Sequence, residues 1–250
     1  MHHNIKPSLL ESVVNVVLIG AGGTGSHMLT GLAQLHHAML ALGHPGGLNV
    51  TVYDDDVVSV TNVGRQMFFP SDVGHNKADV LVNRINMAMG VNWRSVPDRF
   101  EKTVAHTDLV IGCVDNRATR KFLHGQKPWS PIYWLDMGNM QSGGQIILGE
   151  IGRGKSLPNV GDLFPETIDD SLDAVDDTPS CSMAEALEKQ SLFINRGMAL
   201  FGLNLLSELF RFGQIDYHGV FVNLKTARTT PLKIDPATWS RMGYNHPTKG

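Results

Sequence analysis

Cysteine is nearly absent from this chain: Cys113 and Cys181 are the two in 250 residues. Two thiols cannot frame a disulfide scaffold, and their scarcity fits a reducing compartment. They do not form a C-x-x-C pair, so no cysteine zinc site is expected. Long apolar runs are missing too. None is long enough to span a bilayer, and no basic start leads into an apolar export signal, so a cytoplasmic location away from membranes is expected. The net charge is only −3, which argues against a general nucleic-acid binder. That charge is unevenly spread. Asp162, Glu166, Asp169, Asp170, Asp173, Asp176 and Asp177 fall within residues 162–177 with no Lys or Arg among them, which leaves the rest of the chain net positive. A solvated loop is the simplest reading of that stretch.

What the chain does contain is a glycine-rich turn behind a short β-branched strand. Val16, Val17, Leu18 and Ile19 read as a strand buried on both faces. Gly20, Gly22 and Gly25 follow in G-x-G-x-x-G spacing, with Gly23 added. Glycine lets the backbone turn sharply and lets a phosphate lie against main-chain N–H groups. Thr24 or Ser26 opens a helix, whose N-terminus favours an anion. By itself the motif says nucleotide or dinucleotide and no more.

Downstream, strands are expected at about 13–19, 48–53, 91–96, 108–114, 132–137, 145–151 and 217–224, the sixth returning along the sheet. Helices are expected at about 24–42, from Lys77, at 117–125 and at 183–212, the last opened by a capping box of Ser182 and Glu185. His27, His36 and His37, on or near the first of these helices, read as structural or solvated. This alternation predicts one α/β domain over residues 1–250, a Rossmann-like, doubly wound, mostly parallel sheet with helices on both faces. Residues 158–180 read as a mobile acidic crossover loop, and 235–250 as a loose tail. In such sheets ligands bind beyond the carboxyl ends of the strands. Gly20–Gly25, Asp54–Asp56 and Asp115 fall at those ends. Asp54, closing the second strand, is placed to accept hydrogen bonds from ribose hydroxyls. Taken singly, Arg65 reads first as a surface ion pair and Lys77 as the opening of a solvated helix, and Asp115 could cap the helix that follows.

Together these residues form an ordered set: Gly20-x-Gly22-Gly23-x-Gly25-Ser26, Asp54-x-Asp56, Asn62, Arg65-Gln66, Lys77 and Asp115-Asn116-x-x-x-Arg120. The set resembles the ThiF/MoeB/HesA family and the adenylation domain of ubiquitin-activating enzymes, closely over about residues 13–150. Within the family it looks most like the PRTRC-system ThiF branch. The resemblance implies binding of ATP with magnesium and attack on its α-phosphate by the C-terminal glycine carboxylate of a ubiquitin-like or sulfur-carrier protein. It also implies a homodimer and a downstream conjugating protein. By the same resemblance Arg65 and Lys77 contact phosphates, Asp115 holds magnesium, and Asn62, Asp56, Gln66, Asn116 and Ser26 line the nucleotide with the glycines. An anion attacking a polyanion needs such fixed positive charge.

Pro179-Ser180-Cys181-Ser182 looks like the segment that carries the thioester cysteine of ubiquitin-activating enzymes. A helix N-terminus would favour the Cys181 thiolate, whereas Asp176 and Asp177 would oppose it. Cys113, late in a buried strand, reads as core. Two other readings stand beside the adenylating enzyme. An NAD(P)-dependent oxidoreductase accounts for the glycines and Asp54 but gives Arg65, Lys77 and Asp115 no work. A non-catalytic nucleotide-binding scaffold accounts for the fold alone.

Overall fold

The structure is a computed structural model that describes residues 1–172, 188 and 190–245. Its strands are β1 (His3–Asn4), β2 (Val14–Ile19), β3 (Leu48–Tyr53), β4 (Arg94–Val96), β5 (Leu109–Gly112), β6 (Ile132–Asn139), β7 (Gly143–Ile151), β8 (Gln214–Ile215), β9 (Tyr217–Asn223) and β10 (Arg228–Lys233). Its helices are α1 (Ser8–Glu11), α2 (Gly23–Ala41), α3 (Lys77–Met89), α4 (Arg117–Gly125), α5 (Val160–Leu163), α6 (Ile194–Phe212) and α7 (Pro236–Arg241). An eight-stranded sheet runs β10-β9-β7-β6-β5-β2-β3-β4, and β1 pairs separately with β8. From β4 to β6 every pairing is parallel. From β6 to β10 every pairing is antiparallel. The fold is therefore an α/β, Rossmann-like, mostly parallel sheet, with β7 returning along it as expected. Val16 and Leu18 of β2, Ile111 of β5 and Trp134 of β6 lie in the core, shut off from solvent.

The structure departs from the sequence expectations in four places. The strand expected from residue 91 begins at Arg94, because the Asn86 amide takes both backbone groups of Trp93 at 2.9 Å and occupies them before the ladder starts. The long last helix begins at Ile194. Just before it, Ser191 N donates to Gln141 O at 2.7 Å, which ties the chain to the β6–β7 turn instead of to a helical turn. The proposed capping box and Cys181 lie outside the described residues. The described part of the acidic stretch, residues 158–172, expected as a loop, carries short helical turns over Val160–Leu163, Pro165–Ile168 and Asp170–Leu172. Asn159 caps the first of them, and Asp162 is paired with Lys155 at 2.5 Å.

Structure also follows the last expected strand: β10 precedes the expected loose tail, and α7 lies within that tail. β10 carries Pro231 and only one buried residue, Leu232, so its composition hides a strand; an edge position tolerates both. Asp235 then caps α7, with Pro236 in its first turn. Trp239 is buried and donates through Nε1 to His218 Nε2 at 2.8 Å.

Candidate functional site

The site forms where the parallel strands end. Gly20 has a φ of +90°, and a Cβ there would lie 2.7 Å from Cys113 O. Only glycine lets the chain leave β2 so close to the end of β5. A Cβ on Gly25 would land on the Gly20 carbonyl, so the first turn of α2 packs directly under the loop. The first intrahelical bond of α2 comes from Ser26 N to Gly22 O at 3.0 Å. The N–H groups of Gly23, Thr24 and Gly25 precede it and remain available to an anion.

Asp54 ties β3 to this loop. Its Oδ2 accepts from Ala21 N at 2.5 Å, and its Oδ1 from Asp56 N at 2.9 Å. Burial, the larger effect, raises its pKa above the ordinary carboxylate value, and the two N–H donors act against it. Each carboxylate oxygen keeps a second lone pair for a hydroxyl donor. Asp56 instead pairs with Lys77 Nζ at 2.6 Å. The Lys77 side chain is buried, whereas that of Asp56 is 66% exposed, so the ammonium is fixed at the start of α3 by a carboxylate facing outward.

Asn62 shapes the next wall. Its Oδ1 accepts from Ser59 N, and its carbonyl accepts from Arg65 N and Gln66 N. The turn it builds carries Gln66 toward the glycine loop, where a Cβ on Gly22 would lie 4.0 Å from Gln66 Oε1. Arg65 Nε and Gln66 Oε1 are buried and have no hydrogen-bond partner among the described residues. Burial also lowers the Arg65 pKa. A half-buried guanidinium with an open N–H is a ready contact for an anion.

Two expected ligand residues carry scaffold hydrogen bonds. Ser26 is shut off from solvent. Its hydroxyl donates to Gly23 O at 3.0 Å and accepts from Met67 N at 3.3 Å, bracing α2 against the Arg65 segment. Asn116 caps α4 by accepting from Thr119 N at 2.9 Å. Asp115, just ahead of it, is exposed at the end of β5. Cys113 packs against the core, and burial, reinforced by Asp136, pushes its thiol pKa far up. Cys181 lies outside the described residues. Among those residues, no group of three or more His, Cys, Asp or Glu side chains is placed to hold a metal ion.

The sequence reading assigned no role to three supporting residues. Arg120 donates from Nε to Asp136 Oδ1 and from Nη2 to Val114 O, both at 2.8 Å, and so pins the turn that carries Asp115. Its i+4 spacing from Asn116 was a usable signal, because it puts Arg120 back over the start of α4. Asp136, whose pKa burial raises and Arg120 lowers, sits in an apolar strand and gave none. Asn195 lies far away in sequence.

Fold and site together define a Rossmann-like α/β protein whose glycine loop lies at the carboxyl ends of its parallel strands. A family model described as the ThiF family matches residues 8–237, and the chain belongs to that family. It is 30% identical over 129 residues to the NEDD8-activating enzyme E1 catalytic subunit of Dictyostelium discoideum, covering 48% of this chain and 27% of that protein. It is 30% identical over 123 residues to the sulfur carrier protein ThiS adenylyltransferase of Escherichia coli, covering 46% and 44%. The chain thus spans less than half the length of either relative. Among solved structures, Escherichia coli MccB with ATP shares the fold, with a TM-score of 0.58 and 14% identity over 94% of this chain and 65% of that one.

Proposed function

We propose that this chain adenylates the C-terminal glycine carboxylate of a ubiquitin-like or sulfur-carrier protein at the expense of ATP. The observation that carries the proposal is the unpartnered buried Gln66 Oε1 beside the glycine loop, with the unpartnered Arg65 Nε on the adjoining residue and the first helical N–H groups of α2 open. An oxidoreductase would leave Arg65, Lys77 and Asp115 without work. Kinship with proteins named as a NEDD8-activating subunit and a sulfur-carrier adenylyltransferase supports the choice of acceptor.

In the proposed reaction a carboxylate oxygen attacks the α-phosphorus. The α–β phosphoanhydride bond breaks, pyrophosphate leaves with the electron pair, and an acyl-adenylate remains. Asp54 orients the ribose. Arg65 and Lys77 meet the phosphate charge, the latter by exchanging Asp56 for a phosphate oxygen. Asn62 and Gln66 complete the wall, and Asn116 holds the turn beside it. Magnesium takes one or two carboxylates together with phosphate oxygens and water, and a single exposed Asp115 suits that need. Bound there, the ion would offset charge on the phosphates.

The proposal extends to Cys181, whose thiolate would attack the acyl carbon and release AMP. A thiol-reducible adduct that disappears in Cys181→Ala is the expected result, and adenylate formation without such an adduct would remove this step. A homodimer, a downstream conjugating protein, a cytoplasmic setting and membership of the PRTRC-system branch belong to the same proposal through the sequence resemblance. Among the described residues no helix is long and apolar enough to cross a membrane.

The deciding experiment is thermal unfolding with magnesium-ATP against NAD(H). Ligand at ~100 times its Kd adds about 2.7 kcal/mol, a shift of roughly 5–10 °C for a chain of this size. A shift with magnesium-ATP alone is expected; a shift with NAD(H) alone would overturn the reading.

A further inference from the structure

The amide of Asn195 stands at a junction that the proposed chemistry does not use directly. The residue lies in the first turn of α6 and is 4% exposed. Its Oδ1 accepts from Thr24 Oγ1 at 3.1 Å and from Asn139 Nδ2 at 2.7 Å. Its Nδ2 donates to Gln190 Oε1 at 3.0 Å. One side chain thereby joins the start of α2, the end of β6 and the entry to α6. It also fills the space beside the glycine loop. A Cβ on Gly23 would lie 2.6 Å from Asn195 Nδ2 and 2.8 Å from Oδ1. Gly23 is therefore required by the amide packed against it.

We infer that Asn195 is a positioning residue that sets the glycine loop for the triphosphate. The inference rests on the nucleotide reading above. The chemistry of the site selects asparagine. Two donors converge on one oxygen while an acceptor faces the nitrogen, and a single amide satisfies all three. Leucine, of similar size, would leave the buried Thr24 hydroxyl and the half-buried Asn139 amide without their partner, and such groups seek other partners by shifting. The shift would fall on Thr24, in the turn whose N–H groups face the phosphates. Asp54, held on β3, meets the loop at Ala21 N, two residues before Gly23, so the ribose end should feel the shift less than the phosphate end.

The test compares magnesium-ATP with adenosine, which lacks phosphates, by calorimetry on the wild type, Asn195→Leu and Asn195→Ala. Thermal melts and far-UV circular dichroism report the fold. The expected result is a loss of ATP affinity of about tenfold in both variants, with adenosine affinity changed by less than about twofold. Equal losses for the two ligands, or no loss for either, would overturn the inference. Should both single variants fail to fold, Gly23→Ala decides through Asn139→Ala, which frees the Asn195 amide to turn aside. Gly23→Ala alone should abolish ATP binding, and adding Asn139→Ala should recover part of it; strictly additive losses would overturn the inference. A wild-type chain that binds adenosine but not magnesium-ATP would overturn the nucleotide reading, and this inference with it.

Discussion

Arg65 and Lys77 are both basic, yet their surroundings give them different work. Lys77 is buried and neutralised by Asp56 at 2.6 Å. Arg65 keeps a buried Nε with no hydrogen-bond partner among the described residues. Removing Arg65 should therefore cost the reaction more than it costs the fold. Preorganised donors of this kind contribute about 10²–10³-fold to rate. Arg65→Ala should lower ATP–pyrophosphate exchange by that order while the melting temperature stays within a degree or two of wild type; an unchanged exchange rate would remove Arg65 from the site. Asp115→Asn should likewise abolish exchange and leave the fold intact, because the carboxylate is exposed. Cys113 offers the opposite case. With its thiol pKa pushed up by burial and by Asp136, it should resist iodoacetamide in the native protein and react fully in denaturant. Mass spectrometry that finds Cys113 alkylated in the native state would contradict the packing described.

At the scale of elements, much was legible. The β2–turn–α2 unit and α4 announced themselves through β-branched runs, glycine spacing and capping side chains. What stayed hidden depends on partners remote in sequence. β10 looks like coil because an edge strand needs few apolar residues and tolerates Pro231. The bracing of Ser26 by Met67 N is not legible, because the two lie 41 residues apart. Arg120 could be seen as part of a motif, but its work needed Asp136, which sits on a strand with no polar pattern. That pair carries its own consequence. Arg120 and Asp136 are both almost wholly buried, 2.8 Å apart, and Asp136 Oδ2 has no hydrogen-bond partner among the described residues. Removing one partner strands a charge, which costs roughly 3–5 kcal/mol, whereas replacing both with apolar groups is often neutral. Urea titration of Arg120→Leu should show a loss of that order, and Arg120→Leu with Asp136→Leu should recover most of it. The double variant should still exchange pyrophosphate slowly, because Val114 O and the turn bearing Asp115 lose their anchor. Full exchange in the double variant would show that the turn holds itself.

For the molecule as a whole, acid is the condition that separates stability from chemistry. Two histidines are built into the packing as neutral rings. His3 bonds through Nε2 to the Tyr133 hydroxyl at 2.6 Å and through Nδ1 to Ser156 Oγ at 3.1 Å, and burial lowers its pKa although Glu150 acts to raise it. His218 donates from Nδ1 to Leu148 O and accepts from Trp239 at Nε2, each at 2.8 Å. An imidazolium has no lone pair with which to accept from Trp239, so this ring must stay neutral to hold α7. Burial takes its pKa down to about 4. An unfolded histidine titrates near 6.5, so between these values the unfolded chain binds the proton that the folded chain refuses. The His218 contribution is therefore whole above about pH 6.5, shrinks as pH falls and is gone below about 4, a total of about 3 kcal/mol. Melting temperatures taken from pH 7.5 down to 5 should fall accordingly. His218→Gln can still donate to Leu148 O and accept from Trp239, but it cannot titrate. That variant should be less stable at neutral pH, where its fit is poorer, and should lose less than wild type on acidification. If its melting temperature falls with pH as steeply as that of wild type, the acid sensitivity lies with other groups, and α7 is held by packing of Trp239 alone.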